Sequence, residues 1–245
     1  MSGWTAKRFW QDVTVREEDE GFSLLLDSRP VKTPAKAHLI VPARDMADRI
    51  AEEWRAVDKV IDPAVMPWTR SANSALDKVG PQRADVIAHL SGYAATDLLF
   101  YRADGPAELI ARQAEAWDPL LDWAAAAFGV SFNVTQGVMP VDQPDASLDR
   151  LTREMARLSD FELTGFHDLV TLSGSYVIGV AALHDRDSLG SLWASSIVDE
   201  TFQTEQWGED EEAAERATLR KAAFNHAGAF LNSAKKLGVI NGLRR

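Results

Sequence analysis

No cysteine occurs among the 245 residues. That excludes disulfides, thiolate nucleophiles and cysteine-ligated zinc or iron–sulfur centres, and it fits a reducing compartment. Histidine is scarce, with five copies at His38, His89, His167, His184 and His226, and no two have metal-ligand spacing. Glu162 and His167 are five positions apart, not the three of the helical di-iron motif, and His184-Asp185-Arg186-Asp187 reads as a turn after a helix. No metal site is expected. Glycines do not gather into a Walker loop or a dinucleotide fingerprint, so no nucleotide cofactor is expected either. Ser173-Gly174-Ser175 lacks the Gly-x-Ser-x-Gly order of a nucleophile elbow and lies within a helical period, where small residues permit close packing. Positive charge is in deficit, 26 Lys and Arg against 37 Asp and Glu, for a net charge of −11. A nucleic-acid binder needs a basic face to neutralise phosphates, and the pairs Lys235-Lys236 and Arg244-Arg245 are too short to supply one. Long apolar runs are missing as well. The uncharged stretch Leu169 to Leu183 is shorter than the roughly 18–20 residues that span a bilayer and contains Thr, Ser and Gly, so the chain is not expected to be an integral membrane protein. The opening residues Met1-Ser2-Gly3-Trp4-Thr5 carry neither signal-peptide nor transit features, and a cytoplasmic location is the expectation.

What is present reads as an α+β protein. Short β-prone runs, Arg8 to Val15, Phe22 to Leu26 and His38 to Val41, are separated by the charged turn Arg16 to Gly21 and by Asp27-Ser28-Arg29-Pro30. After Pro42 the period changes: Met46, Ile50 and Trp54 recur at every fourth residue between charged neighbours, an amphipathic helix that packs on the sheet. This predicts a small N-terminal β-rich, two-layer domain over residues 1–62. Prolines at 63 and 67 interrupt helical structure and suggest a linker over 63–80. An all-α helical bundle is expected over 81–245. Its helices start near Pro81, near Pro106, and again at Asp118-Pro119 with Asp118 as N-cap, closing at Phe128-Gly129. A connection from Val130 to Val141 follows, then helices through Leu148 to Leu158, Leu163 to Leu183, Leu189 to Gln206, and Asp210 to Leu237.

Two groups of carboxylates invite a functional reading. Asp118 and Asp122 lie one helical turn apart and could pair as acid and base, or serve as a cap and a solvated side chain. The segment Asp199 to Glu215 has no Lys or Arg until Arg216, and Phe202 and Trp207 interrupt it. Acidic residues at a helix start are stabilised by the helix dipole. An aromatic within a patch of one sign also makes a protein-binding surface, the ring anchoring and the charges selecting. Both readings apply to this stretch.

Several blocks, in order, resemble the ATP synthase F(1) complex assembly factor 2 family. They are Leu25-Leu26-Asp27-Ser28-Arg29-Pro30-Val31-Lys32-Thr33-Pro34-Ala35-Lys36, Glu53-Trp54, Ile61-Asp62-Pro63 with Met66-Pro67, Thr96-Asp97-Leu98-Leu99 with Tyr101-Arg102, and Trp117-Asp118-Pro119-Leu120-Leu121-Asp122-Trp123. The sharpest is Glu205-Gln206-Trp207-Gly208-Glu209-Asp210. Ser28 stands where the family often has Gly, which makes that turn less free, and Trp68 where it has Leu. The resemblance implies a bacterial, non-enzymatic chaperone that binds the unassembled α subunit of the F(1) sector, releases it to β subunits and is a monomer when free. It implies Trp207 as anchor, Phe202 as a second aromatic contact, Glu205, Glu209, Asp210, Glu211 and Glu212 as recognition charges, and Trp117 and Asp122 as further contacts. The stretch Asp27 to Lys36 is a second contact or a turn core. The rival readings are an enzyme with a carboxylate site near Asp118 and Asp122, and a permanent subunit of a complex.

Overall fold

The computed structural model describes residues 7–240; the basic pair Arg244-Arg245 lies outside this range. The fold is α+β, a strand-rich N-terminal region followed by helices. The described residues form two compact units, the first from residues 7–83, 159–165 and 229–240, the second from 84–158 and 166–228.

In the first unit, strands β1 (Val13–Glu18) and β2 (Gly21–Leu26) form an antiparallel hairpin in which Val13 pairs with Leu26 and Glu18 with Gly21. The other edge of β2 pairs with β3 (Arg29–Pro30) and with β4 (Ile40–Val41). Asp27 turns the chain from β2 to β3 with φ 56, and its carboxylate accepts the backbone N–H groups of Gln11 and Asp12 at 3.0 Å. Those bonds, from Asp12 and Gln11, hold its carboxyl below the usual range. Helix α1 (Arg44–Ala56) lays Met46, Ile50 and Trp54 on the sheet, as their spacing predicts. Trp10, Leu24, Leu39 and Val41 complete this core, with Phe230 and Ala234 added from the far end of the chain.

Residues 63–79 are helical but for Met66: a 3₁₀ turn (Pro63–Val65), helix α2 (Pro67–Ser74) and a π turn (Ala75–Val79). The prolines sit at first-turn positions, where a missing N–H costs nothing. Helix α2 has no cap of its own, and Glu53 supplies one from α1. Its carboxylate accepts the N–H groups of Trp68 (2.7 Å) and Thr69 (2.8 Å) and the Thr69 hydroxyl (2.7 Å). Burial holds this carboxyl above the usual range against those bonds.

The second unit contains helix α3 (Arg83–Ala95, from its second residue on) and α4 (Ala107–Phe128). Between them a 3₁₀ turn (Leu98–Phe100) leads into strand β5 (Tyr101–Arg102), which pairs parallel with β6 (Thr135–Gln136). Then come α5 (Asp145–Met155), α6 (Asp160–Ser173), α7 (Tyr176–Leu183), α8 (Leu189–Ser196), α9 (Val198–Trp207) and α10 (Glu211–Ile240). The first residues of α6 and the last turns of α10 belong to the first unit.

Three expectations are corrected here. Helix α4 does not restart at Asp118-Pro119 but runs through the proline. Its inward stripe of Gln113, Trp117, Leu120, Leu121 and Ala124 continues across that point, and Glu115, Asp118 and Pro119 are exposed. Water can therefore satisfy the carbonyl that Pro119 leaves without a donor. The helix expected from Leu163 to Leu183 is two, broken at Gly174. A left-handed φ of 73 ends α6 there, and the Ser175 hydroxyl caps α7 by accepting Ile178 N–H at 3.0 Å. Ser173-Gly174-Ser175 is thus a helix break and not part of a helix interior. The helix expected from Leu189 to Gln206 is also two, because Ile197 leaves the helical region at φ −118, ψ 23.

Asp97 is the most deeply buried carboxylate described. Its oxygens accept Leu99 N–H at 2.9 Å and Val177 N–H at 2.8 Å, joining the 3₁₀ turn to the start of α7. Burial pushes its pKa up to about 6, opposed by these bonds. Every residue of α7 from Tyr176 to Ala182 is buried, and the Tyr176 hydroxyl donates to Leu151 O at 2.9 Å.

Candidate functional site

Helix α9 presents the acidic, aromatic segment, and the fold uses part of it. Asp199 accepts from Gln113 Nε2 at 2.7 Å, and the Gln113 side-chain oxygen accepts Ala103 N–H at 2.8 Å, so this carboxylate serves the interior. Glu200 pairs with Arg220 at 3.0 Å, whose guanidinium lies over the Trp193 ring. Glu205 pairs with Arg112 at 2.6 Å; Arg112 also holds Glu108 at 2.7 Å and lies over the Phe202 ring at 5.3 Å. Glu205 and then Glu108 raise the Arg112 pKa. Phe202 itself is 6% exposed and faces inward.

Beyond that point the chain turns outward. Gly208 ends α9 with φ 90, a backbone angle that suits glycine, and leaves Trp207 81% exposed. Asp210 then opens α10, its carboxylate accepting Ala213 N–H at 2.8 Å. Glu209, Glu211 and Glu212 are exposed; Glu212 pairs with Arg216 one turn on at 2.5 Å, and Glu209 and Glu211 enter no salt bridge among the described residues. An exposed apolar ring is thus followed directly in sequence by exposed carboxylates, where a long helix begins with its positive dipole end. This stretch has the chemistry to seat on a basic surface with an apolar recess.

Trp117 lies elsewhere. It is 1% exposed in α4, donates its indole N–H to Ser195 O at 2.7 Å and lies under the Arg102 guanidinium at 5.2 Å. Arg102 in turn pairs with Asp118 at 2.6 Å, which ties that carboxylate to the fold, and Asp122 is exposed one turn on. Among the described residues no group of three His, Asp or Glu side chains is arranged to hold a metal ion. No described helix is long and apolar enough to cross a membrane. Sequence reasoning missed Arg112 and Arg220. Only their distant partners reveal which acids they neutralise.

Comparison with known proteins places this geometry in a family. The family described as ATP12 chaperone protein matches residues 7–125. The crystal structure of Atp12 from Paracoccus denitrificans is 48% identical, covering 94% of this chain and 98% of its own, with a TM-score of 0.90. An aspartate-to-lysine variant of that protein gives the same values. A candidate chaperone from Agrobacterium tumefaciens is 38% identical over 94% of this chain and 86% of its own, with a TM-score of 0.88. The mitochondrial protein atp12 of Schizosaccharomyces pombe is 23% identical over 221 residues, covering 85% of this chain and 76% of that protein. Near-complete coverage at such identity bears out the family resemblance read from the sequence, and the chain belongs to the ATP12 chaperone family.

Proposed function

We propose that this chain is a non-enzymatic chaperone of ATP synthase assembly that acts as a monomer, holds the unassembled α subunit of the F(1) sector and yields it to β subunits. A ring subunit without its neighbours exposes apolar, self-complementary faces that invite aggregation. A partner that covers one such face, with lower affinity than the next subunit offers, protects it and is then displaced by competition. The observation that carries the reading is the solvent-exposed Trp207 with the exposed Glu209, Asp210, Glu211 and Glu212 next to it in the chain. Those carboxylates select a basic face and speed the encounter, an effect that falls with ionic strength because the Debye length is about 8 Å at physiological salt.

The test is capture of separately purified α and β subunits on the immobilised chain. Selective capture of α, weakened by salt and released by added β, is the expected result. Equal capture of both subunits, or of neither by the folded chain, contradicts it.

A further inference from the structure

The first unit carries a groove of the opposite sign. Its volume is about 690 Å³, and its floor is apolar, with Leu26, Val31 and Trp54 buried and Ile61 beside them. Phe9, 60% exposed, forms a lip beneath the Arg29 guanidinium at 5.7 Å. Four cations line the groove, Lys7, Arg29, Lys32 and Lys36, and no carboxylate does. Lys7, Lys32 and Lys36 enter no salt bridge among the described residues. In a chain of net charge −11 this is a local reversal.

One of these lysines occupies a backbone position that favours glycine. Lys36 has φ 74. Asp27, the comparable residue at φ 56, uses its side chain to satisfy two backbone N–H groups. The Lys36 ammonium has no such use inside the fold, and glycine would hold its turn with less strain. The turn is fixed around it: Thr33 N–H donates to Ala37 O at 2.9 Å, Ala37 N–H to the Thr33 hydroxyl at 3.1 Å, and Ala35 N–H to the Asp77 carboxylate at 2.9 Å. A strained lysine on a rigid turn beside an apolar floor is built to face outward charge.

We infer that this groove is a docking site for an acidic protein segment that carries apolar side chains, its carboxylates meeting Lys7, Arg29, Lys32 and Lys36 and its apolar groups filling the floor over Trp54. This goes beyond the acidic face around Trp207 and does not depend on it. The full chain is titrated, by fluorescence anisotropy, into a labelled peptide of alternating glutamate and leucine, with glutamine–leucine and lysine–leucine peptides as controls. The glutamate peptide is expected to bind best. Lys32→Glu/Lys36→Glu weakens it roughly tenfold and raised salt weakens it further. Lys36→Gly weakens it roughly threefold while the melting temperature holds or rises, and Trp207→Ala leaves it unchanged. Equal binding of the three peptides, or an affinity indifferent to both lysine variants, overturns the inference. So does preferential binding of phosphatidylserine vesicles, which would make the occupant a membrane. Concentration-dependent dimerisation abolished by Lys32→Glu/Lys36→Glu would make it a second copy of this chain and overturns it as well. Because the probe is a peptide, failure to capture the α subunit leaves this result standing, and the two readings fail separately.

Discussion

Asp97→Ala is expected to lower the stability of the protein by about 3 kcal/mol at neutral pH, measured by urea unfolding. The substitution leaves the N–H groups of Leu99 and Val177 buried without an acceptor, each costing about 1–3 kcal/mol, and it unties the start of α7 from the 3₁₀ turn. The pH dependence gives a second readout. With its folded pKa pushed up from 3.8 to about 6, Asp97 takes up a proton in the folded state before it does so in the unfolded chain. Its contribution to stability is therefore full below 3.8 and is lost as pH rises through about 6. The difference across that window is about 3 kcal/mol, from about 1.4 kcal/mol for each unit of pKa. Hence the gap between wild type and Asp97→Ala widens as pH falls from 7 toward 4. A gap that stays constant, or narrows, contradicts the assignment.

Two tryptophans beside acidic residues are expected to behave in opposite ways. Trp117→Ala removes a fully buried ring, its bond to Ser195 O and the platform beneath Arg102, and is expected to cost about 3–5 kcal/mol. Trp207→Ala removes a ring that stands in solvent and should change stability by no more than about 0.5 kcal/mol. Thermal denaturation of the two variants side by side decides the matter. Comparable losses would mean that Trp207 is held by the fold, and its use as a partner anchor would have to be abandoned.

Much of this was legible beforehand. The switch from short β-prone runs to a four-residue period after Pro42 indicated the sheet and the helix packed on it. Proline starts, caps and helical spacing of apolar residues marked out the helical remainder. Other features were hidden for identifiable reasons. Pro119 looked like a helix start because the signal for a proline is local, whereas the stripe from Gln113 to Ala124 that carries the helix through it is a property of the whole face. Gly174 lay in so apolar a run that the hydrophobic signal masked the break. The contribution of Phe230 to the first core depends on contact between residues far apart in the chain, which periodicity cannot carry. For the acidic segment, the excess of charge was plain in the sequence, but its division was not. Asp199, Glu200 and Glu205 are answered by Gln113, Arg220 and Arg112, Asp210 caps α10, Glu212 pairs with Arg216, and Glu209 and Glu211 enter no salt bridge among the described residues. Trp117 could have been recognised as interior from its place in the α4 stripe, since Leu120, Leu121 and Ala124 follow at helical spacing.

The proposal that the Trp207 face holds the α subunit is tested most directly by the affinity of purified α for three immobilised proteins: wild type, Trp207→Ala and Glu209→Lys/Glu211→Lys. Asp210 is left unchanged because it caps α10, and losing that cap costs about 1 kcal/mol of stability by itself. Removal of a central aromatic anchor is expected to cost about 2 kcal/mol or more, roughly thirtyfold in affinity. The charge reversal is expected to slow association and to flatten its dependence on salt. Lower affinity in both variants is expected; unchanged affinity and rates in both, each still folded, would place the α subunit elsewhere on the molecule and contradict the proposal.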